Sequence, residues 1–401
     1  MALGTALPTE AAPRGITRAE QNAIRKRDKQ KKAESKDKKK ALNDIKKRAA
    51  ALKKELARIT PIPMPSDKVA KDQVEALEQA SQEGDANAMV QLGHYYMSQG
   101  GAPQADKKKA GEYFHRAAET GNADAVAWSA LYDFFMMPGK NNLENQKAAR
   151  QKCCEAAKNV SADSAIAAYL AGLMTDDSAE QKHMYEQAAR AGFVPAMRAL
   201  GEVMAEEYAT DSTLRFAHMP EDAALWLELA FKNGDVRAAE VRSGSSHMHR
   251  SNSEEDTDTA EAEKWLRLAL PLALQRENHW FGNTFDSSQP SPFVGAWGGE
   301  RMYRILTIYS RLVRVKEFDQ KNPSDVLREC CNTIKKMADA GEPDAMAAAV
   351  LLPRKWSFWM GLKTANPGIL KESEWLPKLK EKAATGDPRA ISALQECNNL
   401  K

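Results

Sequence analysis

The side chains of this chain whose types and spacing could do chemistry are its cysteines, a pair of histidines and one serine near a lysine. Cys153 stands beside Cys154, Cys330 beside Cys331, and Cys397 stands alone. An odd number of thiols cannot all pair within one chain, and neighbours on one helix point about 100° apart, so bridging them to each other strains the backbone. Two readings stay open: small apolar fillers at helix interfaces, or vicinal thiols that grip a soft metal or respond to oxidation. No Cys-x-x-Cys and no nearby His completes a metal set. His247 and His249 precede Glu254, Glu255 and Asp256 in a polar stretch that reads as a loop, and their spacing matches no common metal site. Ser35 and Lys38 have the Ser-x-x-Lys spacing of an acyl-transfer pair, but they sit in lysine-rich sequence with neither a pocket nor an oriented base. The phosphate-binding Gly-x-x-x-x-Gly-Lys-Ser/Thr loop, the His-Glu-x-x-His zinc pair and the Gly-x-Ser-x-Gly elbow do not occur. The expectation is a non-enzymatic protein with no catalytic residue, no cofactor and no resident metal.

The elements that carry these residues repeat. A glycine followed by an alanine four residues on recurs at Gly84/Ala88, Gly121/Ala125, Gly192/Ala196, Gly234/Ala238, Gly341/Ala345 and Gly386/Ala390. A period of about 36 fits when the long gaps are read as two or three degenerate units, and repeats of that length are helix pairs. First helices follow the glycine, as in Ala88 to Tyr96 and Ala196 to Met204; second helices precede the next glycine, as in Lys109 to Ala118, Tyr185 to Ala189, Trp226 to Ala230 and Trp265 to Ala269. Glycine just past a helix takes the left-handed conformation that ends it at low cost. An aromatic recurs two to four residues ahead of the small pair, a stripe that reads as core. Cys153 and Cys154 fall in the corresponding helix.

Charge divides the chain. Residues 1–60 hold 18 Lys and Arg against 7 Asp and Glu; subtracting that net of +11 from the formal +3 of the whole chain leaves −8 for the rest. The basic arm reads as a long helix from about Thr17, with Leu42, Ala49 and Leu56 at heptad a positions and Ile45, Leu52 and Ile59 at d. The run Thr60-Pro-Ile-Pro-Met-Pro65 stops it, because each proline removes a donor and pushes its predecessor into extended geometry. Three uses of the arm follow. Its lysines could neutralise nucleic acid or an anionic membrane surface, with affinity falling as salt rises. The seam of Leu42, Ile45, Leu52, Leu56 and Ile59 could join two copies, or it could pack on the acidic body. Ala345 to Leu352, among the longest apolar stretches, is too short for the roughly 20 residues that cross a bilayer. No basic segment followed by a long apolar core opens the chain. That pattern predicts a cytoplasmic protein if the chain is complete, and a periplasmic or secreted one if a signal segment was removed.

Ala88, Leu92, Gly93, Tyr95 or Tyr96, Gly100-Gly101, Asp106, Lys109-Ala110, Tyr113, Ala117-Ala118 and Gly121 together resemble one unit of the Sel1-like repeat family, relatives of the tetratricopeptide repeats. The resemblance covers about residues 72–240 and 324–397, and thins near 159–165 and between 242 and 321. It implies right-handed superhelices whose concave face holds partner proteins, with no catalytic residue set.

Sequence and resemblance together predict an all-α protein, an α-solenoid of stacked antiparallel helix pairs preceded by a basic helical arm. Residues 1–65 are the arm and its Pro-rich linker, 66–240 the first repeats, 241–322 a degenerate region with polar and aromatic insertions, and 323–401 the closing repeats and cap. Such an array would act as an adaptor or scaffold for an unidentified protein partner, with a basic-arm tether as the alternative. Helix position assigns His94, Trp128, Arg198 and Glu202 to the partner-binding face. Trp280, Trp297, Trp356 and Trp359 lie in irregular aromatic segments that either plug the array or rim its groove.

Overall fold

The computed structural model describes residues 26, 29, 39–41, 43–62, 71–98, 104–136, 142–210, 219–243, 259–274, 323–359 and 368–399. A helix over 43–56 (α1) is followed by α2 (Lys71–Gln82), α3 (Ala86–Ser98), α4 (Gln104–Glu119), α5 (Ala123–Met136), α6 (Leu143–Asn159), α7 (Ala165–Met174), α8 (Ser178–Arg190), α9 (Val194–Thr210), α10 (Glu221–Lys232) and α11 (Val236–Arg242). Then come α12 (Thr259–Leu274), α13 (Pro323–Asp339), α14 (Pro343–Trp359), α15 (Glu372–Ala384) and α16 (Pro388–Asn399). Among the described residues every regular element is a helix, and neighbours in sequence pack as pairs.

The recurring glycine works together with the residue after it. Gly84, Gly121, Gly234 and Gly386 end their helices at positive φ, and the next residue caps the helix that follows. Asp85 Oδ1 accepts from the amides of Asn87 at 2.8 Å and Ala88 at 3.2 Å; Asn122 Oδ1 accepts from Ala125 at 2.9 Å. Asp235 does the same for Ala238, and Asp387 for Arg389 and Ala390. Where the glycine is lost, Ser164 caps α7 through the Ala167 amide at 2.9 Å. The unit is therefore Gly-Asp/Asn-x-x-Ala, in which the capped amide belongs to the repeating alanine. That alanine is almost wholly buried at Ala88, Ala125, Ala238 and Ala390, which leaves no room for a larger side chain.

Packing sets the course of the array. First helices touch one another along one side, α3 against α5, α5 against α7, α9 against α11 and α14 against α16. Their glycines admit the large residues of the second helices: a Cβ on Gly93 would lie 2.6 Å from the Phe114 ring, and one on Gly201 would lie 2.7 Å from Leu227. Leu-Gly in a first helix is thus a socket for the helix that follows. Two apolar cores result, and α11 joins them, contributing Ala238 and Val241 to the first and Val236 and Ala239 to the second. Phe231 packs against both.

One expectation changes. The segment around Trp356 and Trp359, read as irregular, lies within α14, which continues through Pro353. Burial of the preceding turns, Ala345 to Leu352, holds this helix although an interior proline costs it a hydrogen bond. In the region 241–322, the second helix read at Trp265 to Ala269 is α12, which sends Ala262, Trp265, Leu266, Ala269 and Leu270 into the second core. The insertions of that region, with His247, His249, Trp280 and Trp297, lie outside the described residues.

The described stretch of the arm, residues 43–62, packs on the array. Ile45, Ala49, Leu52 and Leu56 are buried, and Leu52 and Leu56 belong to the first core, with Ile59 packed beside it. A helix of about four turns is marginal alone in water, so packing against the array holds it. The seam that could join two copies is therefore engaged within the chain; Leu42 lies outside the described residues. The linker docks as well, through Ile62.

Candidate interaction surface

His94 and Trp128 lie inside the array rather than on its face. His94 is fully buried, with its ring edge-on to Trp128 at 4.2 Å and to Phe114 at 5.2 Å. Burial lowers its pKa to about 3, so the imidazole is neutral at physiological pH. Arg198 is equally enclosed: its Nε donates to Asp235 at 3.0 Å and its guanidinium to Glu202 at 2.5 Å. Glu202 also meets Arg237 at 3.4 Å and keeps a quarter of its side chain exposed. Burial works against the Arg198 charge, but Glu202 and Asp235 outweigh it and hold its pKa above the ordinary value.

One physical reason covers both cases. His94 on α3 reaches Trp128 on α5, and Arg198 on α9 reaches Asp235 at the cap of α11. The face that helix position assigned to a partner is the seam where consecutive first helices meet. Trp356 and Trp359 occupy the last turns of α14.

Several ordering contacts were illegible in sequence. Arg150 Nε donates to the Met174 carbonyl at 2.8 Å and closes the end of α7. Lys109 donates to Tyr96 at 2.5 Å and to Glu78 at 3.0 Å, while the Tyr96 hydroxyl donates to Glu78 at 2.9 Å, tying α2, α3 and α4. Those two hydrogen bonds, the lysine's first, hold the Glu78 carboxyl below its usual range. Cys153 and Cys154 are buried thiols in α6; burial pushes Cys153 up to about 12, and Cys154 Sγ donates to the Ala171 carbonyl at 3.7 Å. Neither is the exposed, thiolate-prone cysteine that redox sensing requires. Among the described residues no three metal-ligating side chains cluster, and no helix is long and apolar enough to cross a membrane.

Residues 48–62 of the arm contact the α8–α9 turn and the first turn of α10. Arg48 Nε donates to Asp222 at 3.3 Å in the first turn of α10. Glu55 pairs with Arg190 at the end of α8. Ile62 then donates its amide to the Gly192 carbonyl at 2.9 Å and forms an isolated parallel bridge with Phe193. Here the turn departs from its fellows: after Gly192 stands Phe193, not a capping Asp or Asn. Phe193 is wholly buried in the first core, 5.4 Å from the Tyr169 ring. The Thr60 carbonyl fills the space over Gly192, whereas nothing lies within 4 Å of a Cβ built on Gly84, Gly121 or Gly386.

No family model matches this chain, and no curated protein sequence matches it. Among the solved structures similar to it are the following two. One, a protective antigen of uropathogenic Escherichia coli displaying an SLR fold, is 18% identical, with 80% of this chain and 66% of that one covered and a TM-score of 0.34. The other, a Sel1 repeat protein from Oxalobacter formigenes, is 13% identical, with 58% of this chain and 99% of that one covered and the same TM-score of 0.34. This chain spans just under two thirds of the length of the first. Its helical-pair architecture stands on its own packing.

Proposed function

We propose that this protein is a non-enzymatic scaffold that binds a protein partner on its helical array. The observation that carries the reading is the seated arm: the array holds a polypeptide by burying one face of an amphipathic helix and by taking up the extended segment behind it. Both are recurring modes of peptide recognition. The first helices supply the supporting rigidity, since α7 from Ile166 to Met174 and α9 from Val194 to Gly201 have no exposed face.

A second reading is favoured by what docking leaves outside. Lys46, Lys47, Lys53, Lys54 and Arg58 are all exposed beside the buried seam, and Lys46/Lys53 and Lys47/Lys54 repeat at two turns, about 10 Å apart. This basic ridge suits an anionic surface, and its affinity would fall steeply with salt. Crosslinked capture from the host separates the readings, comparing the full chain with K46Q/K47Q/K53Q/K54Q at low and moderate salt. The scaffold reading expects the same protein in all four samples. Capture that needs the lysines and fails in moderate salt would overturn it in favour of the tether.

A further inference from the structure

We infer that the surface made by the α8–α9 turn and the first turn of α10 is an exchangeable receptor site, which takes from another polypeptide the same kind of element that the arm supplies. That element is an amphipathic helix with apolar residues at i, i+4, i+7 and i+11, a basic residue at i+3 and an acidic one at i+10, followed by a short extended tail. The inference rests on the scaffold reading and gives it a site and a partner chemistry.

Three observations converge on it. The array is adapted at this place alone among its described glycine–alanine turns in following the glycine with an aromatic: Gly192 is overlain by the Thr60 carbonyl, and Phe193 receives the Ile62 bridge where other turns spend that position on a cap or an acidic residue. The recognition is chemically complete, with an apolar seam of Ile45, Ala49, Leu52 and Leu56 flanked by one ion pair of each polarity. The array gives a buried carboxylate, Asp222, at one end and a half-exposed guanidinium, Arg190, at the other, so a helix is read in one direction only. Finally, the ion pairs of the occupant are open to water. Arg48 is 58% exposed and Glu55 41% exposed in their pairs, and residues 63–70 alone separate the docked segment from α2. Attachment in the same chain raises the arm's local concentration, which makes weak contacts sufficient in cis. A partner with a fuller apolar seam would displace it without rearranging the array.

A labelled peptide of residues 43–62 tests this against the full-length chain by fluorescence anisotropy. Two variants vacate the site: L52D/L56D, which spoils the seam, and R48E/E55R, which reverses both ion pairs and leaves the apolar contacts alone. Far-UV circular dichroism confirms that each is folded, and the second keeps the test valid if the first is not. The peptide is expected to bind the vacated chains at least tenfold more tightly than the native chain. Adding R190E to L52D/L56D should weaken the native peptide several-fold, and an E55R peptide should recover the loss. Equal binding to native and vacated chains, or no binding to a folded R48E/E55R chain, would overturn the inference, as would binding indifferent to the charge exchange. If the peptide fails while capture from the host persists, the scaffold function stands and its partner sits elsewhere on the array.

Discussion

At the scale of single residues, the polar side chains inside the array set its response to pH and to substitution. His94 is neutral and buried, its folded pKa of about 3 lying below the ordinary value of 6.5. Below pH 6.5 the unfolded chain takes up a proton that the folded chain refuses, so this contribution to stability is lost as pH falls from about 6.5 towards 3. The expected loss from pH 7 to pH 5 is about 2 kcal/mol, absent in H94F; urea unfolding at the two pH values measures both. Arg198 predicts the opposite kind of sensitivity. R198A leaves Asp235 buried without its 3.0 Å partner, and breaking such a pair costs about 3–5 kcal/mol. An equal stability of R198A and native protein in urea would show that the buried pair contributes nothing.

At the scale of elements, the turn chemistry separates two glycines that look identical in sequence. G84A introduces only the left-handed strain of an alanine, about 1 kcal/mol. G192A adds a collision with the Thr60 carbonyl, so it should cost at least twice as much and also release the arm. Trypsin then distinguishes them: cleavage after Lys53 and Lys54 should accelerate in G192A and stay slow in G84A. Caps obey the same logic, and D387A should lose about 1 kcal/mol at the start of α16. The alternation of helices was legible because glycine and alanine recur with the helix pair, and the aromatic stripe marked the buried face of second helices. The role of the first-helix face was not. A helical wheel shows that His94 and Arg198 share a side; it cannot show that consecutive first helices meet there. Proline in α14 misled for a related reason, since Pro353 is tolerated only because the turns before it are packed.

At the scale of the whole molecule, residues 43–62 of the arm pack on the array, with Leu52 and Leu56 in its first core. Heptad spacing exposed the seam of Ile45, Leu52 and Leu56 but left its partner open, because apolar residues specify burial and not what buries them. The array disclosed its half of the answer only in the departure at Gly192-Phe193. Hydrogen exchange on the full-length chain tests the docking most directly, with G192A alongside. Docking predicts that amides of 45–56 and that of Ile62 exchange slowly in the native chain and rapidly in G192A, while α7 stays protected in both. Exchange of 45–56 at the rate of an isolated helix in the native chain would contradict it.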